Sequence, residues 1–176
     1  MKADIESLTA DDARAHAAEL GALLEDVVDG GASIGSLSPL APSEARDYWQ
    51  TVVRALAEGS RALLVAREAD GAILGTVQLD LVMRPNGRHR GEVAKLMVHR
   101  RARRRGIGRA LMLAVDEHAR RLGRTTLFLD TRLGDPAERL YRSVGWTFRG
   151  TIPRCARSTN GALDANAIYY KLLDRG

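Results

Sequence analysis

Arg103-Arg104-Arg105-Gly106-Ile107-Gly108 stands between a strand-like run, residues 92–98, and an amphipathic helical run that ends near Leu122. Two glycines let a backbone turn tightly and approach a ligand with no Cβ in the way, and the first N–H groups of a helix lack intrahelical partners. Those donors and the helix dipole favour an anion. Three consecutive arginines place positive charge beside them. The stretch reads as a pyrophosphate cradle at the carboxyl end of a strand, where α/β folds bind their ligands.

Spacing decides between kinds of phosphate loop. A Walker-type loop needs a Lys and a Ser or Thr after its second glycine, and this stretch has neither. A dinucleotide fingerprint needs a third glycine, and here the nearest small residue is Ala110. The pattern that remains is Arg-x-x-Gly-x-Gly.

Outward from the loop, Ile107, Ala110, Leu111, Ala114, Val115 and Leu122 recur at helical spacing. Asp116 with Arg120 and Glu117 with Arg121 read as outward i,i+4 pairs. Residues 125–131 return as a strand, so strand, helix and strand imply a right-handed crossover between parallel neighbours. Asp135, Pro136 and Glu138 mark a further helix start, and Gly145 its end. Strands over 146–150 and 165–172 close the chain, with a polar loop containing Asn160-Gly161 between them.

Upstream, residues 9–28 read as one helix with a Thr9/Asp12 capping box and a stripe of Leu20, Leu23, Leu24 and Val27. A second helix follows Pro42, and residues 30–42 between the two are a loop. Residues 63–66 and 73–82 form paired strands around Asp70-Gly71, and Pro85-Asn86-Gly87 turns the chain into the 92–98 strand.

The 176 residues, 45% of them hydrophobic, suffice for one core and a single domain spanning residues 1–176. The formal net charge of +5 is concentrated between Arg100 and Arg105, which suggests a polyanionic ligand. A single cysteine, Cys155, excludes an intrachain disulfide and a cysteine-based zinc cluster, and fits a reducing cytoplasm. His16, His89, His99 and His118 have no metal-ligand spacing, so no metal is expected. Neither a signal peptide nor a membrane span is expected.

The Arg-x-x-Gly-x-Gly stretch, the 92–98 strand before it and the downstream block Asp135-Pro136-Ala137-Glu138-Arg139-Leu140-Tyr141-Arg142-Ser143-Val144-Gly145-Trp146 together resemble the GNAT N-acetyltransferase superfamily. Residues 30–35, 85–87, 92–98 and 167–171 extend the likeness to the tabtoxin-resistance acetyltransferases, which act on a β-lactam amino-acid toxin. The resemblance implies a mixed α/β (α+β) fold: a mostly antiparallel central sheet with one splayed parallel strand pair, flanked by helices. It also implies acetyl-CoA as co-substrate and direct transfer to a small amine in a ternary complex.

The resemblance further implies roles for individual residues. Backbone N–H groups around Leu96, Met97 and Val98 would hold the thioester oxygen. Arg103, Arg104, Arg105, Gly106, Ile107, Gly108 and Arg109 would hold the coenzyme's phosphates, and Tyr141 would protonate the departing sulfur. Glu92 and Asp130, matching acids of the tabtoxin-resistance group, would bind the ammonium or take its proton, with the division of labour open. Many members carry an Asn seven residues before the tyrosine, where this chain has Gly134. Tyr141 also shares a helix face with Ala137, Leu140 and Val144, the pattern of a core residue. Alternative acceptors are a protein N-terminus or lysine. A nucleic-acid-binding module using Arg100 to Arg105 is the rival from another class. No nucleic acid or membrane is expected as partner, and the chain is read as a monomer or homodimer.

Overall fold

The computed structural model describes residues 3–173. Its frame is set by β2, Arg61–Arg67, and β3, Ile73–Leu81, which form an antiparallel hairpin. Both are buried over most of their length because helices cover both faces. Ala62, Leu64 and Ala66 face one hydrophobic cluster, while Leu63 and Val65 face the other.

Seven strands form one sheet in the order β1-β2-β3-β4-β5-β7-β6. The added strands are β1, Asp4–Leu8; β4, Arg90–Val98; β5, Thr126–Arg132; β6, Thr147–Arg157; and β7, Leu163–Leu172. Every pairing is antiparallel except β4 with β5. That parallel pair spans only Arg90 to Glu92 against Thr126 to Phe128, and beyond it the two strands are unpaired with each other. The expected mixed sheet with a splayed parallel pair is what the chain adopts.

Helices α1, Ala10–Ala15, α2, Ala17–Asp29, and α3, Pro42–Ala57, supply the core on one face. On the other face lie α4, Ile107–Arg121, and α5, Ala137–Ser143. Ile107, Leu111, Met112, Val115 and Ala119 form the buried stripe of α4. Truncating a buried leucine such as Leu111 to Ala typically costs about 2–5 kcal/mol.

Several elements depart from the sequence reading. The helix expected over 9–28 is two, because His16 leaves helical geometry at φ −99°, ψ 16°. The capping box is present, with Asp12 N donating to Thr9 Oγ1 at 3.1 Å and Thr9 N to Asp12 Oδ2 at 2.9 Å. β1 was not foreseen; it is a short edge strand held by its pairing to β2. β6 runs to Arg157, well past the expected Gly150. Asp116 is not an outward partner of Arg120: it is buried and accepts from Lys171 Nζ of β7 at 2.5 Å, while Glu117 does pair outward with Arg121 at 3.1 Å. At the α5 start, Asp135 Oδ1 accepts from Ala137 N at 2.8 Å and Glu138 Oε1 accepts from Gly134 N at 2.6 Å.

Candidate acetyl-donor and acceptor site

The divergence of β4 from β5 opens a wedge in the sheet, and a cavity of about 650 Å³ occupies it. A β-bulge in β4 shapes one wall. Thr76 is opposite Met97 but Gln78 is opposite Ala94, so β4 carries one extra residue there. Lys95, in this segment, has φ 52°, a value that costs a non-glycine residue free energy. Gly75 makes the close approach possible, since a Cβ there would lie 2.5 Å from the Met97 carbonyl oxygen.

Pairing parity fixes where the backbone of β4 points. His99 N donates to Leu74 O at 2.8 Å, and Met97 is opposite Thr76. The intervening Val98 therefore directs its N–H and C=O away from β3, into the wedge. Its carbonyl accepts from Arg103 Nε at 3.4 Å.

Beyond Val98 the chain makes a tight turn into α4. Arg104 and Gly106 both have positive φ, 62° and 79°, and Gly106 caps the helix with no side-chain acceptor. The first N–H groups of α4 are thus free for an anion. A Cβ on Gly108 would sit 3.1 Å from Leu140 of α5 and 3.8 Å from Val98, so its absence lets strand end, helix start and α5 converge.

The structure separates the arginines of the run. Arg100 is held by Asp26 at 2.8 Å, while Glu68 is 2.8 Å from Arg105 and 3.8 Å from Arg101. Arg109 donates to Ser143 O at 3.2 Å, and Ile107 is core. Arg103 and Gly108 line the cavity together with Leu96, Met97 and Val98. Arg104, Arg105, Gly106, Ile107 and Arg109 do not line it; they build the turn and the helix start at its rim.

Glu92, Asp130 and Tyr141 all line the same cavity. Burial first, and then the carboxylates of Asp80 and Asp130, raise the Glu92 pKa above its ordinary value, against the pull of Arg61 and Lys95. Tyr141 is buried among Trp146 and Tyr169, with ring centroids 6.5 and 5.9 Å away. Burial, followed by the charges of Asp135 and Asp130, pushes its phenol well above the usual value, so it is protonated at neutral pH. Tyr141 is thus both a core residue and a wall of the cavity.

Sequence reasoning missed four polar groups here. Lys95 lines the cavity and donates to the carbonyl of Ile34, tying the 30–40 loop to the bulge. Burial, then Arg61, lowers its pKa, against Asp80, Asp130 and Glu92. Asn166 is buried and donates through Nδ2 to Asp130, while its buried Oδ1 has no partner among the described residues. Arg132 lines the cavity two residues beyond Asp130. Tyr48, its pKa raised to about 12 mainly by burial, donates to Gln78 Oε1 at 3.0 Å behind Lys95, whose ammonium is 5.5 Å from the Tyr48 ring. None of these positions carries a short motif; only the bulge and the β5–β7 register bring them together.

The family model of the acetyltransferase (GNAT) family matches residues 33–146, which include the turn, the wedge and Tyr141. The chain belongs to this family. Among individual GNAT relatives, an uncharacterized N-acetyltransferase from the hisH-hisA intergenic region of Azospirillum brasilense is 36% identical over 110 residues, 61% of this chain. The match spans 63% of that relative, less than two thirds of its length. The ribosomal-protein-alanine N-acetyltransferase of Brucella melitensis has the same fold at a TM-score of 0.78 and 26% identity, covering 97% of this chain and 99% of that one. A phosphinothricin acetyltransferase from Sinorhizobium meliloti, in complex with acetyl-CoA, superposes with a TM-score of 0.79 at 20% identity, over 100% of this chain and 91% of that one.

The residues present fit the acetyl-CoA of the GNAT family. Free helix N–H groups and the exposed Arg103 and Arg104 suit its phosphates, and the wedge with the Val98 N–H suits its arm and thioester.

Proposed function

We propose that the chain is an acetyl-CoA-dependent N-acetyltransferase for a small, amino-acid-like amine, including β-lactam toxins of the kind that tabtoxin-resistance enzymes modify. The observation that carries this reading is the convergence of Glu92, Asp130, Tyr141 and the Val98 N–H on one wedge at the α4 N-terminus. Bound acetyl-CoA supplies the acetyl thioester. Asp130, exposed in the cavity and steadied by Asn166 Nδ2, receives the acceptor's N–H groups. Glu92, its pKa raised first by burial, takes the proton that the amine loses on forming its bond to the acyl carbon. The Val98 N–H polarises the carbonyl oxygen. The Tyr141 hydroxyl returns a proton to sulfur as the carbon–sulfur bond breaks.

A protein N-terminus as acceptor is favoured by the likeness to the Brucella enzyme. It requires an open groove beside the wedge, where residues 31–38 and 157–160 flank a second cavity of about 290 Å³. The small-acceptor reading stands first because Glu92, Asp130 and Tyr141 share one cavity with the β4 backbone. The nucleic-acid reading is disfavoured because Arg100, Arg101 and Arg105 face Asp26 and Glu68.

The test is a panel of amines: the common L-amino acids, phosphinothricin, β-lactam amino acids and peptides with free N-termini. Thiol release from acetyl-CoA is followed with a thiol reagent. Turnover on small amines above the peptide rate is expected; turnover on peptides alone would move the assignment to protein acetylation.

A further inference from the structure

The second cavity shares Gly31, Ala32, Ser33 and Arg132 with the main one and continues it away from the wedge. Its lining differs in chemistry. Arg132, Arg157, several serines, Thr159 and Asn160 line it, and no carboxylate does. Arg157 has no acidic partner within 4.0 Å among the described residues and donates only to Gly161 O at 3.3 Å. Arg132 is steadied by Gly31 O at 3.4 Å, Asp135 at 3.7 Å and Asp164 at 4.0 Å.

A distortion of β6 carries Arg157 there. Ile152 is opposite Asn166 but Ala156 is opposite Asp164, so β6 holds two extra residues around Arg154, whose φ is 55°. Such bulges bend a hairpin. Ala156 reaches the main cavity, and residues 157–160 reach the 30–40 loop.

We infer that this second cavity binds the carboxylate of the acceptor, with Arg132 and Arg157 as the specificity-determining pair; the inference rests on the acetyltransferase reading above. Asp130 and Arg132 are i,i+2 on β5 and so point to the same side of the sheet, roughly 6.6 Å apart along the strand. An amino acid spans that interval with its ammonium on Asp130 and its carboxylate on Arg132. Guanidinium groups suit this task because their N–H donors bind a carboxylate in pairs. A peptide N-terminus has no carboxylate at this distance, so the same pair selects free amino acids over proteins.

The test compares L-amino acids with their carboxamides, which keep the amine and lose the negative charge, in the wild type and in Arg157→Gln and Arg132→Gln. For the best acceptor, kcat/KM for the acid is expected to exceed that for the amide at least 10-fold. The acid-to-amide ratio should drop at least 10-fold in Arg157→Gln. Because the ratio is internal to each variant, general loss of folding does not mimic the effect. Acids and amides used equally by the wild type, or a ratio unchanged in both variants, overturns the carboxylate site while leaving the acetyltransferase reading intact. No turnover on any amine, acid or amide overturns both.

Discussion

In the proposed mechanism Glu92 and Tyr141 carry out two opposite proton tasks in one cavity. Burial drives both groups toward their protonated forms, but from different starting points. A phenol stays a donor throughout the physiological range, while burial and the neighbouring carboxylates raise the Glu92 pKa and make its carboxylate a stronger base. Tyr141→Phe is expected to lower kcat by about 10²–10⁴-fold, the usual worth of a positioned acid, with acetyl-CoA affinity nearly unchanged; a calorimetric titration beside a turnover assay checks both. Unchanged kcat removes Tyr141 from the chemistry. For Glu92, kcat/KM should fall as pH drops through a value above the ordinary 4.5, because only the carboxylate accepts the proton. Glu92→Gln should lose that limb together with most of the rate; a retained acid limb would shift the role to Asp130. The places of Glu92 and Tyr141 at the cavity were legible from the motifs around them. Those of Lys95 and Asn166 were not, because a bulge and a cross-strand register that no local pattern encodes bring them there.

At the scale of elements, α5 depends on a tether rather than on its own length. Glu138 receives hydrogen bonds from Tyr169 of β7, from Gly134 N at 2.6 Å and from Arg142 at 3.4 Å, and this holds Tyr141 against the wedge. Gly134 adopts φ 83° and feeds its N–H to this carboxylate. The Tyr169 bond foremost, with Gly134 and Arg142, holds the Glu138 pKa below 4.5. A depressed folded pKa means stabilisation that is present above 4.5 and lost as pH falls through the lower folded value. Glu138→Gln should therefore cost roughly 1–3 kcal/mol at pH 7 and melt with a shallower acid dependence than the wild type, as thermal unfolding at several pH values measures; parallel curves would remove the tether's charge from the account. The element boundaries that were legible carry local signals, such as the Thr9 cap and Gly106. Asp116 was misread because i,i+4 spacing to Arg120 looks the same whether the side chain faces water or Lys171.

Over the whole molecule, the site exists because one parallel pair interrupts an otherwise antiparallel sheet. Strand, glycine turn, helix and strand were legible as a unit, and the crossover rule made β4 and β5 parallel neighbours. The splay of that pair came from the family resemblance alone, while the placement of β7 between β5 and β6 and the bent hairpin over the second cavity are consequences of tertiary packing and had no sequence signal of their own. In the proposed function the wedge and the α4 N-terminus together hold acetyl-CoA. Calorimetric titration with acetyl-CoA tests it most directly, on the wild type and on a Gly106→Leu/Gly108→Leu variant shown by its melting curve to be folded. Micromolar binding to the wild type, lost in the double variant, is the predicted result. No binding to the wild-type protein, or binding indifferent to both glycines, would contradict the account.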